Sequence, residues 1–347
     1  MPLTVMLALT AIIIAALVLP FFVHAVEKEL EIFIFILGVL AVSVSGAWSL
    51  RLAEEALLEP VKITLAVLIT GILFNKFNKQ LVFLVDKIQA RIGIKKSVII
   101  IVFLLSFLSS VITAIVAALV LCEAAATLRL SQKDTVHVIV MGCFGIGMGA
   151  VLTPIGEPLS TIVVNKLSGP PHHAGFFYLL DMLWPFVVVG VCFFSFLAGR
   201  LKEEHKKNYT EIAVESVKAI IVRSAKVYLF IMALVLFGKG LTPLAEATIK
   251  KLPSWALYWA NTISAVLDNA TLAAAEIVPD MTNAQIEFML MALIISGGLL
   301  IPGNIPNIIC ASKFKIKSKQ WAKDAFIPGF ALMLVTFILV MLFPAKG

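Results

Sequence analysis

Along the chain, apolar positions gather into long runs near 3–23, 30–50, 60–74, 97–128, 135–165, 176–199, 227–243, 254–278, 284–311 and 325–343, separated by short charged segments. About 20 apolar residues span a bilayer as one helix, so most runs predict single spans. The run 97–128 is too long for one span and too short for two, and with 254–278 it predicts re-entrant hairpins. Two further runs are broken by small polar residues, Gly and Pro: Thr153-Pro154-Ile155-Gly156-Glu157-Pro158-Leu159-Ser160, and Ile301-Pro302-Gly303-Asn304-Ile305-Pro306-Asn307. Each follows a hairpin run with its own polar cluster, Ser109-Ser110-Val111-Ile112-Thr113 in the first case and Ser264-Ala265-Val266-Leu267-Asp268-Asn269-Ala270-Thr271 in the second. In hydrocarbon an unpaired backbone group is costly, so such breaks persist only where protein or a water-filled cavity covers them. Paired breaks in corresponding halves point to a transporter's substrate site.

Apolar residues make up 61% of the chain and charged residues 14%, with a mean hydropathy of +1.03. That excludes a soluble globular protein of ordinary composition and predicts an all-α, polytopic protein in the lipid bilayer. Met1-Pro2-Leu3-Thr4 places no basic residue before the first apolar run, which predicts a retained helix instead of a cleaved signal. Cys122, Cys143, Cys192 and Cys310 fall within apolar runs and predict packing residues, with neither disulfides nor a zinc site. The net charge of +7 resides in short loops between runs, where Lys and Arg orient a membrane protein, and no nucleic-acid partner is expected.

The positive-inside rule tests the hairpins. If 97–128 and 254–278 both re-enter, one face holds 21 of the 28 Lys and Arg and the other 7; if both cross, the split is 16 to 12. The rule prefers the first arrangement. It gives about eight transmembrane helices and two re-entrant hairpins, with both termini on the extracytoplasmic side of the cell (plasma) membrane. The organisation expected is N-terminal scaffold helices (1–59), a first unit of span, interfacial arm, hairpin, broken helix and span (60–199), a cytoplasmic linker (200–226), and a second unit of the same order (227–347). Three crossings separate the starts of the units, so they form an inverted-topology repeat whose two discontinuous helices meet near the midplane. Asn75 to Lys96, where Phe77, Leu81, Val82, Leu84, Val85 and Ile88 alternate with Lys and Asp, reads as an interfacial amphipathic arm.

The Ser-Ala-Val-Leu-Asp-Asn segment at 264–269, the Gly-Ala-Val-Leu-Thr-Pro-Ile-Gly-Glu-Pro segment at 149–158 and the repeat partner around Gly303-Asn304 resemble the ion transporter superfamily. That group includes NhaD-type sodium/proton antiporters, arsenite-pump membrane subunits and divalent anion/sodium symporters. The whole chain is also similar to a small prokaryotic family of predicted cation transporters. The likeness in architecture covers nearly all of the chain, and that in motif four short segments. It implies an ion-transport function and a homodimer. The chain departs from the antiporter and arsenite-pump pattern at the first hairpin, where Thr113-Ala114 aligns with Asp268-Asn269 and relatives often carry an Asn-Asp pair. The Ser-Asn-Thr tips of the symporters are absent too. Glu157 and Asp268 remain as the candidate carriers of ion-coupled charge.

Asp268 stands in an otherwise apolar run from Trp255 to Ala275, where ionisation in lipid is expensive. Beside Asn269 and Thr271 it is a hard oxygen donor suited to Na+ or a titrating proton; the alternative is a structural acid paired with an Asn or a helix N-terminus. Glu157 lies where Pro154, Gly156 and Pro158 unwind the span. It is either an ion ligand or proton carrier, forming with Asp268 the candidate Na+ ligands, or a cap on the half-helix beginning near Leu159. Ser109, Ser110, Thr113, Thr153, Gly156, Ser160, Ser264, Asn269, Thr271, Ser296, Gly303, Asn304 and Asn307 bring hydroxyl, amide and carbonyl oxygens to the four breaks. Singly, each reads equally well as a helix-packing hydrogen bond. Glu123 and Glu276 suit snorkelling or an access path. His172 and His173 read as a solvated loop, with a pH sensor as the alternative.

There is no His-Glu-x-x-His helix, no Gly-x-x-x-x-Gly-Lys-Ser/Thr loop and no Gly-x-Ser-x-Gly elbow, so neither enzyme activity nor a bound cofactor is expected. Two acids with no Lys or Arg beside the breaks favour a small cation over a bare anion. The expectation is a secondary active cation transporter, foremost an Na+/H+ antiporter, in which a hairpin-and-broken-helix core moves against a scaffold in an elevator-like or rocking cycle. The runner-up is an Na+-coupled symporter of a small, dicarboxylate-like anion. A third reading is the membrane subunit of an ATPase-partnered efflux system.

Overall fold

The computed structural model describes residues 2–23, 25–26, 29–128, 130–201, 216–248, 253–267 and 269–343. Among these the regular structure is entirely helical. Helix α1 (Leu3–Phe22) and α2 (Leu30–Ser45) come first, and Gly46, at φ 70°, ends α2. The Ser49 side chain caps α3 (Leu50–Ile92) by accepting from Leu52 N at 3.0 Å. Gly93, at φ 76°, turns the chain into α4 (Ile94–Ile112). There follow α5 (Ala114–Thr127), α6 (Gln132–Ala150), α7 (Pro158–Lys166) and α8 (Tyr178–Ala198).

A second series of helices follows, again opened by its longest member. A long α9 (Val217–Thr248) precedes α10 (Ser254–Ala260), which runs on as a 3-10 turn (Asn261–Ala265), and α11 (Asn269–Glu276). Next come α12 (Asn283–Ser296), a 3-10 turn at Ile301–Gly303, α13 (Ile305–Phe314) and α14 (Ser318–Leu342). The packing recurs too. In the first unit α3 lies on α5, α4 on α6 and α6 on α8; in the second α9 lies on α11, α10 on α12 and α12 on α14. Each short helix after a break packs on a helix of the other series, α7 on α11 and α13 on α5. α9 packs broadly on both α2 and α3.

Among the described residues five helices are long and apolar enough to cross a membrane: Leu3–Phe22, Ile94–Ile112, Tyr178–Ala198, Val217–Leu244 and Ser318–Leu342. The sequence predicted about eight spans. Leu30–Ser45, Ala114–Thr127 and Asn283–Ser296 are apolar but shorter. The runs 135–165 and 284–311 are each split into two helices, as the Gly and Pro residues there require. The run 60–74 and the arm after it belong to one helix, α3, whose 43 residues make it about 65 Å long at ~1.5 Å per residue. Pro60 lies inside this helix without ending it. α4, in the first half of the run 97–128, is itself of span length, and α9 starts within the segment read as a linker. Cys122, Cys143 and Cys310 are buried, whereas Cys192 is exposed.

Candidate functional site

The first break forms because α6 ends in a glycine-rich stretch pressed against α4. A Cβ on Gly149 would lie 1.6 Å from the Ser106 carbonyl oxygen, so the two backbones touch where no side chain fits. Beyond Ala150 the chain unwinds and is held by side chains. Thr153 Oγ1 donates to the Ser110 carbonyl, Ser160 Oγ to Val151 O at 3.0 Å, and Thr161 Oγ1 to Pro154 O at 2.6 Å. The α4–α5 junction docks here, since Ala114 N donates to Gly156 O at 2.8 Å and Ser109 Oγ to Ile146 O at 3.0 Å. Ser110 Oγ turns back to Phe107 O. Thr113, at φ 75° and ψ 150°, is the residue at which α4 gives way to α5, and its Oγ1 accepts weakly from Val116 N at 3.4 Å.

Glu157 occupies the N-cap position of α7 in an extended conformation, with Pro158 at the first helical position. Its side chain is 6% exposed and makes no capping hydrogen bond to α7. The carboxylate is therefore buried at the positive end of a helix and makes no side-chain capping bond to it.

The second break repeats this construction with different residues. Asn304 occupies the N-cap of α13, also extended (φ −154° against −156° for Glu157), and a Pro again stands in the first turn. Three residues on from each N-cap, Asn307 and Ser160 both reach back into their own break. Asn307 Nδ2 donates to Gly297 O and Leu300 O, each at 2.9 Å. Both partners are carbonyls, so the nitrogen of this amide is fixed towards them and Oδ1 faces away. Oδ1 is buried and has no hydrogen-bond partner. The 3-10 turn after α10 docks on α12 through Ser264 Oγ to Leu293 O at 3.3 Å and Ser296 Oγ to Asn261 O at 2.8 Å. A Cβ on Gly303 would lie 2.8 Å from Ser264 O, so the 3-10 turn lies directly on the hairpin backbone.

The two halves meet at Asn304, whose Nδ2 is 3.0 Å from where a Cβ on Gly147 of α6 would stand. They are also joined at the ends of the half-helices. Lys166, the last residue of α7, donates from Nζ to the carbonyls of Ala274 and Ile277 at the end of α11. Lys313, in the last turn of α13, pairs with Glu123 on α5. Counted from the N-caps Glu157 and Asn304, these lysines hold the same position.

Thus Ser109, Ser110, Thr153, Ser160, Ser264, Ser296 and Asn307 all spend their donors on backbone carbonyls around the breaks. A hydroxyl that directs its proton inward keeps its oxygen lone pairs available on the other side. Asn269 is buried at the start of α11, and its Nδ2 has no hydrogen-bond partner. Thr271 is placed on α11 by its backbone. Asp268 lies outside the described residues.

Several side chains of this region were not anticipated. Glu276 does not snorkel: it is buried and accepts from Asn261 Nδ2 at 2.9 Å, tying α11 to the 3-10 turn after α10. Trp321 Nε1 donates to Gly298 O at 3.0 Å and so closes the second break from α14. Glu287, 1% exposed on α12, was legible only as an acid inside the run 284–311. His172 is not simply solvated; its ring nitrogens lie 3.0 Å from Asn283 Oδ1 and 3.0 Å from Pro279 O. Among the described residues no cluster of three or more His, Cys, Asp or Glu has the arrangement of a metal centre.

No curated protein matches the chain. A family profile spans residues 6–343, and by that match the chain belongs to the DUF1646 family, proteins of unknown function.

Proposed function

We propose that this protein is a secondary active transporter of a small cation, an Na+/H+ antiporter whose ion site lies between the two unwound segments. The observation that carries this reading is the buried Asn307 Oδ1, an oxygen with no partner whose orientation is fixed by the two carbonyls that hold its nitrogen. A buried polar atom left unsatisfied calls for an explanation, and a cation supplies one. Glu157 adds a buried carboxylate at the corresponding break, and the serine and threonine hydroxyls add neutral oxygens. An all-oxygen set of this kind suits a hard monovalent ion or a proton rather than a soft metal. Asp268, at the tip of the second hairpin in sequence, is the proposed coupling acid.

The recurrence of helix order and of packing supports an inverted-topology repeat with re-entrant hairpins. In this reading the hairpins and broken helices move as a core against the frame of α2, α3 and α9. The test is Na+-dependent proton movement in proteoliposomes loaded with a pH-sensitive dye, comparing the natural sequence with Asp268→Asn. Dequenching on Na+ addition that vanishes in the variant is the expected result. A protein that moves no protons in response to Na+, Li+ or K+ would overturn the antiporter reading.

A further inference from the structure

A cavity of about 810 Å3 separates the frame helices α2 and α9 from α13 and the start of α14. It falls within the ~300–1,000 Å3 typical of small-molecule sites. Six cationic side chains line it: Lys218, Arg223 and Lys226 on α9, Lys313 on α13, and Lys315 and Lys317 at the turn into α14. Two acids, Glu29 and Glu31, lie among them, with Lys226 Nζ at 3.3 Å and 3.7 Å from their carboxylates. Among the described residues the lining therefore carries a clear excess of positive charge. The positive-inside count puts all six cations on the same, basic face of the chain.

The remaining wall is apolar. Leu30, Val222, Phe230, Ile301, Ile308 and Ile316 line it, and Ile301 belongs to the 3-10 turn of the second break. A small free cation would be repelled by this lining, and a small free anion would leave the apolar wall wet. An anionic amphiphile answers both halves at once, with its charged group on the lysines and a hydrocarbon chain along the apolar wall. Basic pockets between transmembrane helices on the cytoplasmic side recognise anionic lipid headgroups in this way.

We propose that this cavity binds the phosphate headgroup of an anionic membrane phospholipid, which bridges the α2–α9 frame and α13 of the second break. Lipid binding here does not depend on which ion, if any, the protein carries. The experiment is native mass spectrometry of the lipid-stripped, full-length protein titrated with phosphatidylglycerol, with phosphatidylcholine of the same acyl chains, and with inorganic phosphate. Phosphatidylglycerol is expected to bind about tenfold more tightly than phosphatidylcholine, with phosphate alone weaker than either. Lys218 and Lys315 are both exposed, so the double substitution Lys218→Gln, Lys315→Gln leaves the fold intact. It should weaken phosphatidylglycerol by roughly tenfold or more, in keeping with the contribution of each lysine near an anionic surface. The double substitution Lys95→Gln, Lys96→Gln removes the same charge from exposed positions outside the cavity and should change nothing. Equal binding of the two lipids, phosphate binding as tightly as phosphatidylglycerol, or equal weakening by the two variants would each overturn the proposal.

Discussion

The Sγ atoms of Cys122 and Cys310 lie 3.2 Å apart, fully buried, where α5 of the first unit meets α13 of the second. A disulfide needs about 2.05 Å, so a closing movement of roughly 1 Å would join two residues 188 positions apart. Molecular iodine, itself reduced to iodide, should convert the two thiols to a disulfide with release of two protons. The expected readout is an intact-mass loss of two hydrogens that Cys122→Ser prevents. In the proposed cycle α5 and α13 both belong to the moving core, so transport should survive the cross-link. Arrest of transport would show that these helices separate during the cycle.

Thr113 holds a backbone conformation, φ 75° and ψ 150°, that is essentially reserved for glycine. Such strain costs ~1–3 kcal/mol, and it persists where the surrounding structure over-determines it, here through the docking of Ala114 N on Gly156 O. Thr113→Gly should relieve it and, after the ~0.5–1 kcal/mol entropic cost of glycine, raise stability by about 1 kcal/mol. Thr113→Ala keeps the strain and should bring no gain. Thermal unfolding of both variants in detergent, followed by circular dichroism, separates the two.

The close approach of α4 and α6 makes a sharper stability test. Gly149→Ala would place a methyl group 1.6 Å from the Ser106 carbonyl oxygen, and a main-chain atom cannot swing aside. The helices would have to part, at the ~1–3 kcal/mol typical of overpacking or more. At Gly169 a Cβ would meet nothing within 4 Å, so Gly169→Ala should stay within about 0.5 kcal/mol of the natural protein. A shared shift in melting temperature for the two variants would contradict the backbone contact.

Much of this arrangement is local chemistry that a sequence displays. Pro158 and Pro306 at the starts of half-helices, and Gly297 and Gly303 around the second unwound segment, interrupt helices for reasons contained within a few residues. What was not legible is carried by partners far apart in the chain. The carbonyls that Lys166 caps are more than a hundred residues away, and Glu123 and Lys313 are 190 apart. The cations around Ile301 come from α9, α13 and the turn into α14, so the sequence showed no Lys or Arg beside that break whereas folding gathers six into the cavity next to it. The continuity of α3 was hidden because its charged second half has the spacing of an interfacial arm, and that spacing is equally the period of a helix that simply continues.

The two terminal lysines join the halves by different means, and substitution should expose the difference. Lys166→Met strips the donor from two helix-end carbonyls, at ~1–3 kcal/mol if they stay buried. Lys313→Met also strands the partly buried carboxylate of Glu123, so neutralising that partner with Glu123→Gln should recover part of the loss. A double-mutant cycle on thermal stability reads this coupling, expected at about 0.5–3 kcal/mol for residues in contact. Additive effects of the two substitutions would mean that the pair contributes nothing to holding α13 on α5.

Glu157 offers the most direct separation of an ion ligand from a structural acid. A cap accepts hydrogen bonds from the first turn of its helix, and its loss costs ~0.5–2 kcal/mol of stability. The Glu157 side chain makes no such bond to α7, so Glu157→Gln should not carry the cost of a lost cap. It does remove a negative charge from a buried site at a helix N-terminus, where the proposed ion must be neutralised. Na+-dependent proton movement in proteoliposomes should therefore fall at least tenfold in a protein that folds normally. A variant with full transport and a markedly lowered melting temperature would return Glu157 to a structural role and leave Asp268 alone as the coupling acid.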